Sequence, residues 1–255
     1  MLSARESKRL RALVRREERA ESGLFLAEGA RVIEDLLNSG LTIRMFIVPE
    51  SIVDRPEGRN LIVEADQRGL DLRIVPNHEF ERLAVTETPR NALAVVEIPA
   101  VSPEQILFAP GRAVVLLLDG IQDPGNFGTL VRSAEAFGAA GVLTLPGTVD
   151  PWNPKSVRSA AGSSFRIPIV GVSWNDVAQL LHRAEFVVWG ASMEGEAVQA
   201  PVPERVALVM GNEGAGLSAA ARAALDRVVG IPTPGRAESL NVAAAAAILL
   251  HELTR

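Results

Sequence analysis

The chain alternates between short apolar runs and amphipathic segments. The most apolar run is Ala113-Val114-Val115-Leu116-Leu117-Leu118. A strand apolar on both faces belongs in the middle of a sheet covered by helices on each side. Further strands are predicted at 141–145, 186–190, 205–210 and 227–231, and helices at 126–138, 154–161, 174–183, 218–225 and 240–253. This order predicts an α/β domain with a mostly parallel sheet over residues 113–255. Upstream, a helix is predicted at 3–20 (apolar positions Leu10, Leu13, Val14), a short strand at Leu24–Ala27, and a helix at 29–38. A strand at Ile43–Val48, a helix at 57–69 and strands at Leu72–Val75 and Ala92–Ile98 follow. Residues 1–100 therefore read as a smaller α/β domain, and 101–112 as a linker flanked and punctuated by Pro99, Pro103, Pro110 and Gly111.

Composition narrows the class. No apolar run approaches the ~20 residues of a membrane span, and the charged N-terminus does not read as a signal peptide. A cytoplasmic protein is the default expectation. The absence of cysteine excludes disulfides and a thiol nucleophile. The three histidines, His78, His182 and His251, lack ligand spacing, and no metal is expected. The net charge of −5 argues against a nucleic-acid partner. However, residues 1–20 carry seven cations (Arg5, Lys8, Arg9, Arg11, Arg15, Arg16, Arg19) against Glu6, Glu17 and Glu18. That segment is either an electrostatic footprint for phosphate or a solvated helix with i,i+3 and i,i+4 pairs.

Three segments carry candidate chemistry. A polar loop follows the buried strand at 113–118, and Asn126 and Arg132 lie six residues apart on the next helix. Ligands in open α/β sheets bind at the carboxyl ends of strands, which puts this loop on the functional edge. The plain alternatives are an N-cap for Asn126 and an ion pair with Glu135 for Arg132. The second segment, Met210-Gly211-Asn212-Glu213-Gly214-Ala215-Gly216, has glycines in the order G-x-x-G-x-G. This is not the dinucleotide fingerprint, and the acidic residue that fingerprint needs ~20 positions on is missing. Glu213 is either a functional carboxylate or a solvated turn residue, and the local pattern favours the turn. In the third segment, Ser239-Leu240-Asn241, the plain alternative for Ser239 is a cap of the last helix, and Asn241 has no evident structural duty.

Taken in order, Asn-x5-Arg, Met-Gly-Asn-Glu-Gly-x-Gly and Ile231-Pro232-x-x-Gly-x3-Ser-Leu-Asn-Val resemble the SpoU/TrmH family of SPOUT-superfamily RNA 2′-O-ribose methyltransferases, over residues 113–255. The first hundred residues, through the basic helix and Gly23–Val32, resemble the RNA-binding domain that precedes the catalytic domain in rRNA-modifying members. The resemblance implies a C-terminal trefoil knot and a homodimer. It implies S-adenosylmethionine as cofactor, contacted by Gly211, Ile231 and Leu240, with Met210, Asn212, Pro232 and Asn241 lining the pocket. It also implies catalytic roles for Arg132, Asn126, Glu213, Ser239 and Asn241. The proton acceptor is assigned in the family to the counterpart of Arg132; a guanidinium normally stays protonated, so phosphate gripping is the easier role. The implied substrate is RNA, foremost 23S rRNA; the alternatives are tRNA methylation or a non-catalytic RNA-binding protein on the same fold. Ser133, Thr233, Ala243 and His251 depart from the family's usual residues.

Overall fold

A computed structural model describes residues 2–84, 92–235 and 239–255. The chain forms two compact units, Met1–Pro99 with Trp152–Phe165, and Ala100–Pro151 with Arg166–Arg255.

The first unit contains α1 (Ala4–Ala12), α2 (Arg16–Ser22), β1 (Leu24–Glu28), α3 (Ala30–Leu37), β2 (Ile43–Pro49), α4 (Pro56–Gln67), β3 (Leu72–Val75), α5 (Asn77–Leu83) and β4 (Leu93–Glu97). The sheet order is β1-β4-β2-β3. β4 runs antiparallel to both β1 and β2, while β3 is parallel to β2. Side chains alternate between faces along each strand. Phe25, Phe46, Val48, Ala94 and Val96 pack on one side with α3. Leu26, Ile47, Leu93 and Val95 pack on the other with α1 and α5.

The single helix expected at 3–20 is broken between Ala12 and Arg16. Leu13 turns into the core, and the buried guanidinium of Arg19 donates to the Leu13 carbonyl at 2.7 Å, satisfying a group that the break leaves unpaired. Val14, expected as an apolar contact, is 47% exposed. Gly23 ends α2 with φ +67°, a left-handed cap.

The segment 152–165, expected in the C-terminal domain, completes this first core instead. Trp152 lies against Phe25 with ring centroids 4.7 Å apart, and Phe165 lies 6.2 Å from the same ring. Val157, on the helix Pro154–Ser159, joins the same cluster.

The second unit holds α6 (Pro103–Leu107), β5 (Ala113–Asp119), α7 (Pro124–Ala136), β6 (Gly141–Thr144), β7 (Ile169–Gly171), α9 (Trp174–Arg183), β8 (Val187–Ala197), β9 (Arg205–Gly211), α10 (Ala219–Ala223), β10 (Arg227–Gly230) and α11 (Val242–Thr254), with α8 being Pro154–Ser159 of the first unit. The six strands run in the order β10-β8-β9-β5-β6-β7, all parallel. β5 is buried along its whole length, as its composition requires. One face packs on Ile106, Val177, Leu181 and Ala221 from α6, α9 and α10. The other carries α11 packed on α7, β9 and β5. The stretch expected as a linker is thus part of this core: Ser102 and Gln105 form a capping box for α6, whose Ile106 and Leu107 are buried. The α/β class holds for both units, with helices on both faces of a parallel sheet in the second. β7 escapes the sequence pattern because three residues carry no periodicity.

Candidate active site

The strands of the second unit are parallel, so β5, β9 and β10 all release their chains at one edge. Three loops follow there: 120–123 after β5, 212–218 after β9, and 231–241 after β10. Residues 236–238 of the third motif lie outside the described residues.

Asp119 ends β5 as a buried carboxylate, and its Oδ2 accepts the Ser218 N–H at 2.7 Å. Thr148, also buried, donates to the Leu118 carbonyl at 2.7 Å and accepts the Gly120 N–H at 3.0 Å. Asn212 crosses between loops. Its Nδ2 donates to the Gly120 carbonyl at 2.8 Å, while its Oδ1 accepts the N–H groups of Gly214 (3.0 Å) and Ala215 (2.8 Å). Asn212 and Gly216 also exchange two backbone hydrogen bonds of 2.9 Å. The loop folds back so closely that a Cβ on Gly211 would lie 2.4 Å from the Gly216 carbonyl carbon, so only glycine fits. Sequence reasoning missed Asp119 and Thr148. The first polar residue after an unbroken apolar run signals Asp119; Thr148 finds its partners 28 and 30 residues away, and no local pattern marks it.

Glu213 reaches to the start of α7. It accepts the backbone N–H groups of Gln122 (3.3 Å) and Asp123 (3.2 Å) and the Asn126 Nδ2 at 3.1 Å. Partial desolvation pushes its pKa upward, but the hydrogen bonds from Asn126 and from the backbone of Glu213, Gln122 and Asp123 outweigh that, holding the carboxyl below its ordinary value. Asn126 is not the cap of α7; Asp123 is, accepting the Asn126 N–H at 2.7 Å. Asn126 instead uses its Oδ1 to accept from the Asn241 Nδ2 at 3.0 Å.

Asn241 corrects the expectation for the last helix. It is the N-cap of α11, accepting the N–H groups of Ala243 (2.9 Å) and Ala244 (3.4 Å), and the helix begins at Val242. Ser239, whose plain alternative is that cap, sits exposed two residues earlier. An Asn side chain two or three residues before the free N–H groups reaches them directly, which leaves Ser239 without that duty.

The structure therefore brings Asn126, Glu213 and Asn241 into one hydrogen-bonded set. It does not bring Ser239 or Arg132 into it. Arg132 lies six residues beyond Asn126, about 9 Å along α7. It is exposed, and the alternative pair with Glu135 is not formed; Glu135 bonds Arg166 at 3.1 Å. Every other described arginine of this unit is engaged by a carboxylate, a carbonyl or a ring: Arg112, Arg166, Arg183, Arg205, Arg222, Arg227 and Arg255. Among the described residues Arg132 has no such partner.

Of the expected pocket residues, Met210 is buried in the sheet core, and Gly211 pairs in register with Asp119. Ile231 is half-buried and Pro232 exposed at the end of β10. Leu240 leaves an apolar side chain 38% exposed beside the α11 cap. The backbone N–H groups of Ile231 and Leu240 have no hydrogen bond among the described residues. No three acidic or histidine side chains are grouped for a metal ion among the described residues, and none of the described helices is long and apolar enough to cross a membrane.

A parallel sheet with helices on both faces, with close-packed glycine backbone and a polar side-chain set at its carboxyl edge, has its candidate site where open α/β folds carry their ligands. The model of the SpoU rRNA Methylase family matches residues 113–251, and that of the MRM3-like substrate binding domain matches residues 5–94. The chain belongs to the SpoU rRNA methylase family. It is 35% identical over 240 residues to the 23S rRNA (guanosine(2553)-2′-O)-methyltransferase RlmP of Bacillus subtilis, covering 93% of this chain and 91% of that one. It is 33% identical to the 23S rRNA (uridine(2479)-2′-O)-methyltransferase of Streptomyces viridochromogenes, covering 94% and 85%. Among solved structures it is similar to the SpoU methyltransferase AviRb from Streptomyces viridochromogenes in complex with the cofactor AdoMet, with a TM-score of 0.88, 30% identity and coverage of 99% and 97%.

Proposed function

We propose that this protein transfers a methyl group from S-adenosylmethionine to a ribose 2′-oxygen of RNA, with 23S rRNA as the substrate. The observation that carries this reading is the unpartnered guanidinium of Arg132 on the helix whose start is fixed by the Glu213–Asn126–Asn241 set. When bound, the cofactor supplies a methyl group activated by its sulfonium charge. Gly211, Asn212, Ile231, Pro232 and Leu240 hold the adenosyl part, mainly through backbone groups, with Met210 as the core support beneath and Asn241 at the edge. Arg132 grips the phosphate beside the target ribose with its planar fork and sets the position of the 2′-hydroxyl. Asn126, Glu213, Ser239 and Asn241 orient the ribose against that grip. Alignment of the reacting groups accounts for most of the rate gain.

The same reading makes the protein a cytoplasmic homodimer with a knotted C-terminal region. Ile248, 43% exposed on α11, supports an apolar contact with a second copy.

The test is methyl incorporation into 23S rRNA by wild type and Arg132→Ala. Because Arg132 has no partner to lose, the variant keeps the wild-type melting temperature. Its turnover falls by a factor on the order of a hundred or more, as for loss of a charge clamp on a reacting centre. An Arg132→Ala enzyme as active as wild type removes this assignment.

A further inference from the structure

The chain has no acidic residue between Asp150 and Asp176, in a protein of net charge −5. Part of that stretch, Trp152–Phe165, belongs to the first unit. Its helix α8 reads Pro-Lys-Ser-Val-Arg-Ser. Ser156 and Val157 face inward and are buried, while Lys155 and Arg158 are exposed. The i,i+3 spacing puts both cations on one side of the helix. The side chains of Lys155 and Arg158 have no ion pair, hydrogen bond or ring contact among the described residues.

A third cation lies on the neighbouring helix. A Cβ on Gly162, in the turn after α8, would lie 2.3 Å from Asp35 Oδ2, so that turn presses on α3. Arg31 precedes Asp35 by one helical turn on the same face, is exposed, and also lacks a partner among the described residues.

The opening helices, expected to form the basic footprint, differ in this respect. Arg15 pairs with Glu18 at 3.7 Å, Arg11 donates to the Ser7 carbonyl at 3.1 Å, and Arg19 is buried and donates to the Leu13 carbonyl. Part of their charge is used within the fold. The cations of α8 have no partner among the described residues, while Trp152 and Phe165 on either side of the helix pack against Phe25. Two like charges on one short helix, with no acid in the sequence between Asp150 and Asp176, repel each other. An external polyanion relieves that repulsion and releases its counterions in doing so.

We propose that α8 is a ridge that binds the RNA phosphate backbone, through Lys155 as a point charge and Arg158 as a fork, with Arg31 of α3 as a third contact. The substrate-binding match ends at residue 94 and does not reach α8. The substrate-binding surface therefore includes a helix encoded within the methylase stretch of the sequence. This proposal rests on the RNA methyl-transfer reading above.

The experiment measures affinity of the full-length protein for a 23S rRNA transcript across a series of KCl concentrations. K155Q/R158Q is compared with wild type and with the charge-preserving K155R/R158K. Each lost phosphate contact lowers the slope of log K against log salt by about 0.7–0.9, so the neutral double variant loses about 1.5 in slope and about tenfold or more in affinity. K155R/R158K retains most of the slope. S-adenosylmethionine binding by calorimetry and the melting temperature stay at wild-type values in both variants. An unchanged slope in K155Q/R158Q, beside a wild type that binds and methylates, overturns this proposal alone. A wild type with no affinity for the transcript overturns it together with the reading on which it rests.

Discussion

Gly211→Ala tests the geometry of the cofactor loop most directly. The added methyl would sit 2.4 Å from the Gly216 carbonyl carbon, 2.5 Å from the Leu217 nitrogen and 2.6 Å from the Gly216 oxygen. All three are backbone atoms, so no side-chain rotation relieves the overlap. The loop must move by about 1 Å to restore van der Waals distance. Overpacking of this kind costs ~1–3 kcal/mol. The shift also strains the two Asn212–Gly216 backbone hydrogen bonds, each with a net value of ~1 kcal/mol. The expected destabilisation is therefore ~2–5 kcal/mol, or roughly 4–15 °C in melting temperature for a unit that unfolds cooperatively. Gly235→Ala is the control: its Cβ would meet nothing within 4 Å, and the substitution should be neutral or slightly stabilising through the unfolded chain. Scanning calorimetry gives the stabilities, and titration calorimetry gives S-adenosylmethionine affinity, which Gly211→Ala should reduce at least about tenfold through misplacement of the backbone. If the two alanine variants melt together and bind the cofactor alike, the close-packed loop is not what holds it.

Two further outcomes follow from the side-chain set. Asn241→Ala should cost ~1 kcal/mol through loss of the α11 cap and also abolish the hydrogen bond to Asn126. Asn241→Asp keeps the cap acceptor but cannot donate, so it should melt near wild type yet lose methyl-transfer activity; equal activity would show that the amide donor is dispensable. Glu213 has a depressed folded-state pKa, so its contribution to stability is fully present above its unfolded value of about 4.3 and is lost as pH falls through the lower folded value. The difference in unfolding free energy between wild type and Glu213→Gln should be constant at neutral pH and shrink below pH ~4. A difference that grows on acidification would contradict the hydrogen-bond assignment.

The parts of the fold legible in the sequence are those fixed by local burial. β5 is apolar at every position because both of its faces are covered, and no other environment calls for that composition. The edge that carries the loops follows from strand direction alone. What escaped depends on contacts between distant residues. The α1–α2 break is compensated by Arg19 bonding the Leu13 carbonyl, a bond that helical periodicity does not encode. Trp152, Val157 and Phe165 look like core residues in the sequence, but nothing local says which core they fill; Phe25 decides it. The cap of α11 is ambiguous in the sequence for a smaller reason. Ser239 and Asn241 are both good caps, and only the position of the first helical N–H, at Val242 onward, separates them.

The polar set at the sheet edge has a property that its members lack singly. A carboxylate is acceptor-only, so Glu213 fixes which end of the Asn126 amide faces it: the Nδ2. That turns the Asn126 Oδ1 toward Asn241. At the other end, the free N–H groups of a helix start are donor-only, so they fix the Asn241 Oδ1 on α11 and turn its Nδ2 toward Asn126. The two constraints, from opposite ends, demand the same direction of hydrogen bonding. Neither amide can flip without leaving a donor facing a donor or an acceptor facing an acceptor. A chain of two amides pinned by a carboxylate and a helix terminus has one arrangement, which is the preorganisation that aligning a weak nucleophile requires. It also explains why a residue exposed to solvent, at a place where a turn would tolerate almost any polar side chain, is a glutamate: a glutamine at position 213 could present either end of its amide, and the direction of the whole set would no longer be fixed.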